Sequence, residues 1–201
     1  MKGYAFGKAS VLMVDDSAWM RIILRQMLVA IGFSRIREAE NGEAALAAVQ
    51  AAAPDLVLTD YDMLPMSGLE LTRRIRRLPN DARFVPVIMV SAHSTLGNVL
   101  AARNAGVTEF LVKPVALQTF YHHLVAVIER PRPFIEAAGY NGPDRRRREV
   151  AGGAGHSRRS TDAAAAAPPP EGDDVELSQD EISAIMNGAA NALNKRMGSQ
   201  E

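Results

Sequence analysis

A short run of residues suited to a buried strand recurs five times in the first 130 residues, and each run is followed by a segment of helical character. The runs are 10–14 (SVLMV), 35–39 (RIREA), 55–59 (DLVLT), 85–90 (VPVIMV) and 107–112 (VTEFLV). They are too short for stable helices, and most are apolar and β-branched, so they read as strands. Between them, 17–30 places Met20, Ile23, Leu24, Met27 and Leu28 at helical spacing and stops at Gly32. Residues 43–53 are strong helix formers closed by Pro54. Residues 68–77 read as a helix with a basic outer face, 95–104 as another, and 117–129 as a last amphipathic one. Strands alternating with helices predict an α/β domain, a doubly wound five-stranded parallel sheet. In such sheets the functional crevice lies beyond the carboxyl ends of the strands. Asp15 and Asp16, Asp60, Ser91 and Lys113 all fall at those ends.

These residue types suit one chemistry. Phosphoryl transfer to a carboxylate needs a nucleophilic oxygen, a hard divalent cation, a fixed positive charge and a hydroxyl donor for the phosphoryl oxygens. Magnesium takes oxygen ligands and keeps several waters, so two or three carboxylates suffice. Lys113 can offset the clustered charge, and Ser91 can donate to a phosphoryl oxygen. Any one of the aspartates, taken alone, also fits a plain helix cap.

The motifs VDDS (14–17), LTD (58–60), Gly68 eight positions beyond Asp60, SAH (91–93) and FLVKP (110–114) resemble the receiver domain of two-component response regulators, whose stand-alone form is CheY-like. The resemblance covers about residues 8–130. It implies a flavodoxin-like fold and a histidine kinase as partner. It implies Asp60 as phosphoacceptor, and Asp15, Asp16 and the backbone carbonyl of Asp62 around Mg2+. Ser91 and Phe110 take the positions of the switch pair, and Lys113 that of the catalytic lysine. Two departures stand out. Met63-Leu64-Pro65-Met66 moves a customary proline by one place, and Phe110 replaces the common tyrosine.

The composition changes after residue 130. Over the whole chain 47% of residues are apolar and the net charge is zero, so overall charge names no partner. There is no cysteine, which removes disulfides and thiolate chemistry. No apolar run reaches the roughly 18–20 residues of a membrane span, and no stretch of signal-peptide type opens the chain. A cytoplasmic protein is the expectation. Residues 131–162 form an arginine-rich extension expected to be largely unstructured, 163–176 a linker, and 177–197 an amphipathic helix. His93, His122 and His123 read as surface residues, and Trp19 as a packing residue near the Asp15–Asp16 turn.

Arg130, at its edge, and Arg132, Arg145–Arg148, Arg158 and Arg159 within it put eight arginines in thirty residues. From the residues alone this is a solvated tail, a contact for membrane or nucleic acid, or a site for guanines and phosphates. The stretches 132–148 and 158–162 resemble the extension of CheY-like cyclic di-GMP effectors acting on flagellar motors. That resemblance implies dinucleotide contacts from Arg132, Tyr140, Arg145, Arg146, Arg147, Arg148, Arg158, Arg159 and Asp162. In the C-terminal segment, Ser178 and Glu181 form a capping box, and Ile182, Ile185, Met186, Ala189 and Leu193 fall on one face. The string LSQDEI (177–182) resembles the N-terminal peptide of the flagellar switch protein FliM, which CheY recognises. It implies a helix that docks on this chain's own receiver or on another receiver.

The expected function is therefore a phosphoacceptor response regulator binding cyclic di-GMP and modulating a flagellar motor or chemotaxis. The alternative is a phosphate sink or kinase-feedback receiver with an inert basic tail. No helix-turn-helix follows the receiver, so DNA binding is not expected. No enzyme beyond the receiver's own phosphoryl chemistry is expected either.

Overall fold

The computed structural model describes residues 6–137, 140–144 and 176–188. Five parallel strands, β1 (Ser10–Val14), β2 (Arg35–Ala39), β3 (Leu56–Asp60), β4 (Val87–Ser91) and β5 (Glu109–Val112), form one sheet in the order β2-β1-β3-β4-β5. The expected doubly wound α/β architecture is therefore present. Side chains alternate across the sheet. Leu12, Val14, Val57, Val87, Met89 and Phe110 face one layer, formed by α2 (Gly42–Ala51), α3 (Gly68–Arg76) and α4 (Leu96–Ala105). Val11, Met13, Leu56, Leu58, Ile88, Val90 and Leu111 face the other, formed by α1 (Ala18–Ile31) and α5 (Leu117–Glu129).

Local chemistry sets the helix ends. Ser17, Asn41, Ser67 and Thr95 each accept a first-turn N–H at the starts of α1 to α4. Gly32 and Gly106 close α1 and α4 at φ of 111° and 92°, which glycine adopts without Cβ strain.

Helix α3 departs from the expected basic outer face. Arg76 is 2% exposed and points inward. Its Nε and Nη2 donate to the carbonyl of Gly106 at 3.0 and 2.8 Å, and its Nη1 to those of Arg83 and Val85, both at 2.7 Å. Burial pulls its pKa down to about 10, still charged at neutral pH.

The extension also departs from the expectation at its start. Residues Phe134–Ala137 (β6) and Tyr140–Pro143 (β7) pair antiparallel and pack on the receiver. Phe134 stands edge-on to Phe84 at 4.8 Å and under the Arg76 guanidinium at 5.6 Å. Asn141 Nδ2 donates to the Arg76 carbonyl at 2.6 Å. Gly142 permits the close approach, since a Cβ there would lie 2.9 Å from Gly106 Cα.

The C-terminal helix, α6 (Gln179–Met186), packs against α4 and β5. Ser178 and Glu181 make the expected capping box. Ile182, Ile185 and Met186 are buried in the same core layer as Val99, Ala102 and Phe110. Burying each such side chain is worth ~1.5–3 kcal/mol before the cost of ordering the segment. Ala189 and Leu193 lie outside the described residues.

Candidate functional site

The carboxyl ends of β1, β3 and β5 bring three charged side chains together. Asp15 is 1% exposed and Asp60 7%. Lys113 Nζ donates to Asp60 Oδ1 at 2.6 Å and to Asp15 Oδ2 at 3.3 Å. The Ser17 N–H donates to Asp15 Oδ1 at 2.9 Å, and the Asp62 N–H to Asp60 Oδ2 at 3.0 Å. Asp16 and Asp62 are exposed beside this group. Burial pushes the Asp60 carboxyl up and the charge of Asp15 adds to this, while the Lys113 hydrogen bond and charge pull it back only in part. Burial also disfavours the Lys113 ammonium, but the hydrogen bonds and charges of Asp60 and Asp15 outweigh it and raise its pKa.

Gly68 fits closely behind the site. Its N–H donates to the Tyr61 carbonyl at 3.0 Å. A Cβ there would collide with the Asp60 carbonyl and lie 2.9 Å from Thr59 Oγ1. Glycine at this position lets α3 start against the end of β3.

Ser91 and Phe110 lie on neighbouring strands, but neither side chain bonds to the carboxylates. The Ser91 hydroxyl donates to the His93 carbonyl at 2.9 Å and accepts from the His93 N–H at 3.0 Å. The Phe110 ring is buried and stands edge-on to Tyr61 at 6.4 Å.

The donor set suits magnesium. Two buried carboxylates share one ammonium, leaving excess negative charge and hard oxygen donors. Among the described residues no three acidic or imidazole side chains form a closed metal cage. Magnesium does not need one, because it holds several waters beside one or two carboxylates.

Comparison with known proteins decides the family. Residues 11–125 match the response regulator receiver domain. The chain belongs to the response regulator receiver family. Chemotaxis protein CheY-3 of Vibrio cholerae is 33% identical over 120 residues, 60% of this chain and 92% of that protein. Chemotaxis protein CheY of Pseudomonas aeruginosa is 32% identical over 120 residues, 60% of this chain and 96% of that one. The solved structure of the chemotaxis response regulator CheY4 of Vibrio cholerae superposes with a TM-score of 0.55 at 30% identity, covering 59% of this chain and 98% of that one. This chain is thus a CheY-like receiver of two-component signalling, extended beyond the matched region.

The receiver engages two residues of the arginine segment for itself. The Arg132 side chain is 4% exposed. It donates through Nη1 to the Met186 carbonyl at 2.7 Å, and through Nη2 to Asn187 Oδ1 at 3.0 Å and Glu109 Oε1 at 3.4 Å. Its guanidinium is enclosed between β5 and α6 rather than open to a nucleotide. The Tyr140 hydroxyl donates to the Pro143 carbonyl at 2.6 Å, inside the hairpin. Arg145, Arg146, Arg147, Arg148, Arg158, Arg159 and Asp162 lie outside the described residues.

Other placements correct the sequence reading. His123 is not a free surface residue, since its Nδ1 lies 3.0 Å from the Glu109 carboxylate. Trp19 is 77% exposed rather than packed. Gln179 and Arg103 bind α6 to the receiver; Gln179 lies within the LSQDEI string, while nothing in the sequence marks Arg103.

Exposed Trp19, two residues beyond the capping Ser17, supplies a probe. Magnesium is expected to change its fluorescence, and protons compete for the raised Asp60. Apparent affinity should therefore rise with pH through a midpoint above the usual carboxylate value of 3.8. Titrations giving one affinity across the acid range would rule out Asp60 as a ligand.

Proposed function

We propose that this chain is a chemotaxis-type response regulator that takes a phosphoryl group on Asp60 from a histidine kinase in a magnesium-dependent reaction. An Asp60 carboxylate oxygen attacks phosphorus, and a new P–O bond forms as the P–N bond to the kinase imidazole breaks. The electron pair of that bond returns to the imidazole nitrogen, which is then protonated. Lys113 orients Asp60 and balances the charge that arrives. Asp15, Asp60 and the Asp62 carbonyl would hold the magnesium, with Asp16 beside it. The cation, when bound, neutralises the phosphoryl oxygens. Ser91 is placed to donate to those oxygens once it leaves His93. The observation that carries this reading is Lys113 Nζ held between two buried carboxylates, at 2.6 Å from Asp60 and 3.3 Å from Asp15.

The activity so described is acceptance of a phosphoryl group on the chain's own Asp60, not turnover of a substrate, and belongs in the cytoplasm with the kinase. The output we propose is modulation of a flagellar motor, in keeping with the CheY relatives. The arginine segment adds a second input, cyclic di-GMP. Its support is chemical: paired guanidiniums bind guanine edges and phosphates bidentately. With Arg132 and Tyr140 engaged elsewhere, the ligands proposed are Arg145–Arg148, Arg158, Arg159 and Asp162.

One set of experiments tests both inputs. Intact mass after incubation with acetyl phosphate and magnesium should show one phosphoryl group on the full chain and none on Asp60→Asn. Uptake by Asp60→Asn would overturn the assignment. Calorimetry with cyclic di-GMP should give heat with the full chain and none with an Arg145–Arg148 alanine variant. Equal heats, or none from either, would reject the dinucleotide and leave Asp60 untouched.

A further inference from the structure

The far end of α3 opens into a cavity of about 130 Å³ that the hairpin completes. Arg73, Arg76 and Arg77 of α3 and its C-terminus form one side, Asn104 of α4 a second, and Tyr140 and Asn141 of β7 a third. The hairpin makes this surface concave. Asn141 Nδ2 is fixed to the Arg76 carbonyl at 2.6 Å, and its own backbone carbonyl lies so near α4 that a Cβ on Gly106 would stand 3.1 Å from it. β6 and β7 lie beyond the matched residues 11–125, so the receiver match does not supply this wall. The cavity is also remote from Asp60. Gly68 starts α3 against Asp60, and the nine residues of α3 place its other end ~13 Å away.

The charge in this cavity is unbalanced. Among the described residues that line it, none is acidic. Arg76 spends its hydrogen bonds on carbonyls, not on a carboxylate, and stays charged at neutral pH. Arg73 reaches Glu70 only at 4.0 Å, and Glu70 bonds Arg74 at 3.0 Å. Arg77 has no ion pair among the described residues. The C-termini of α3 and α4 flank the cavity, and each helix end carries about half a negative charge. Together they offset about one guanidinium of the three. Arg145–Arg148 add to the same field, because Arg145 is four residues beyond Asn141, at most ~14 Å of chain. Cations gathered this closely repel one another, and a bound anion relieves the repulsion.

We propose that the cavity between α3, α4 and the hairpin binds a phosphate group, with the guanidiniums of Arg73 and Arg77 pairing with its oxygens and the Asn104 carboxamide donating to them. Guanidinium suits this ligand because its planar fork meets two phosphate oxygens at once. The volume is well below the ~300–1,000 Å³ of sites that enclose a drug-sized molecule. The cavity therefore takes the phosphate itself, either free or as part of an ester whose remainder stays outside. This site depends neither on Asp60 as phosphoacceptor nor on the dinucleotide reading of the arginine segment.

The test titrates the full chain at neutral pH and constant ionic strength with inorganic phosphate, dimethyl phosphate and cyclic di-GMP in turn, followed by nitrogen-15 NMR. Saturable shifts are expected at the Asn104 and Asn141 amides and at the Nε–H groups of Arg73 and Arg77. Arg73→Gln/Arg77→Gln should weaken the binding at least tenfold. Both side chains are exposed, so the fold is retained. Arg25→Gln/Arg35→Gln removes the same charge from exposed positions elsewhere and should leave the affinity unchanged. Saturation by inorganic phosphate alone supports a site for the dianion, and saturation by either diester supports a site for an ester. Shifts that fail to saturate with all three, or that sodium chloride reproduces, would overturn the inference. So would equal binding by Arg73→Gln/Arg77→Gln, or an equal loss in both double variants.

Discussion

Replacing Lys113 with alanine is expected to stop phosphoryl uptake and to destabilise the cation-free chain by about 2 kcal/mol at neutral pH. This is below the ~3–5 kcal/mol of a fully buried pair because the lysine is partly solvated. The loss arises because Asp15 and Asp60 are left together without their shared cation. The pH dependence has a definite sign. The Asp60 pKa is already raised in the folded chain, and Lys113 is what holds it down. Without Lys113 it rises further, so the folded state binds a proton more tightly than the unfolded one. Stability is then retained at acid pH and lost as pH rises through the folded pKa. Urea denaturation of Lys113→Ala from pH 4 to 8 should show a deficit that grows with pH. Asp60→Asn in the same background should restore most of it. A deficit constant across that range would mean that Lys113 acts through packing alone.

Arg76→Met should cost about 3 kcal/mol, measured by chemical denaturation, although it removes a positive charge from a strongly basic helix. The side chain is fully buried, and its guanidinium serves the carbonyls of Gly106, Arg83 and Val85. Methionine fills similar volume but leaves these acceptors without donors, and each unsatisfied buried group costs about 1–3 kcal/mol. Arg76→Lys should recover only part, because one ammonium cannot reproduce a planar fork. The hairpin that stacks on this guanidinium should loosen as well, visible as faster exchange at the Asn141 amide. A change under about 0.5 kcal/mol, the range of ordinary surface substitutions, would remove Arg76 from the core.

Much of this was legible in the residues, for physical reasons. Buried parallel strands leave runs such as SVLMV and VPVIMV, and the crevice rule then places Asp15, Asp60 and Lys113 at one end of the sheet. Strand ends and helix starts shifted by a residue or two, where caps rather than composition decide. What escaped was set by tertiary contact. Arg76 sits among Arg73, Arg74 and Arg77, and nothing local distinguishes the arginine that turns inward. Residues 131–144 read as loop because three prolines and two glycines punctuate them. The hairpin exists because Phe134 and Gly142 find Phe84, Arg76 and Gly106, residues distant in sequence. The resemblance of 132–148 groups Arg132 with the ligand arginines, yet Glu109 and the end of α6 claim it. Ser91 falls at the end of β4, but its bonds to His93 cannot be read from the string SAH.

The Gln179 carboxamide clasps β5, its Nε2 donating to the Phe110 carbonyl at 2.8 Å and its Oε1 accepting from the Val112 N–H at 3.1 Å, and this bears on solubility. β5 is the outer strand of the sheet, and an uncovered outer strand offers its N–H and C=O groups to any extended segment nearby. One carboxamide takes up two of those groups, and α6 packs against the same strand. A chain cut before Glu176 exposes that margin together with the apolar strip beside it. It should self-associate at concentrations where the full chain stays monodisperse.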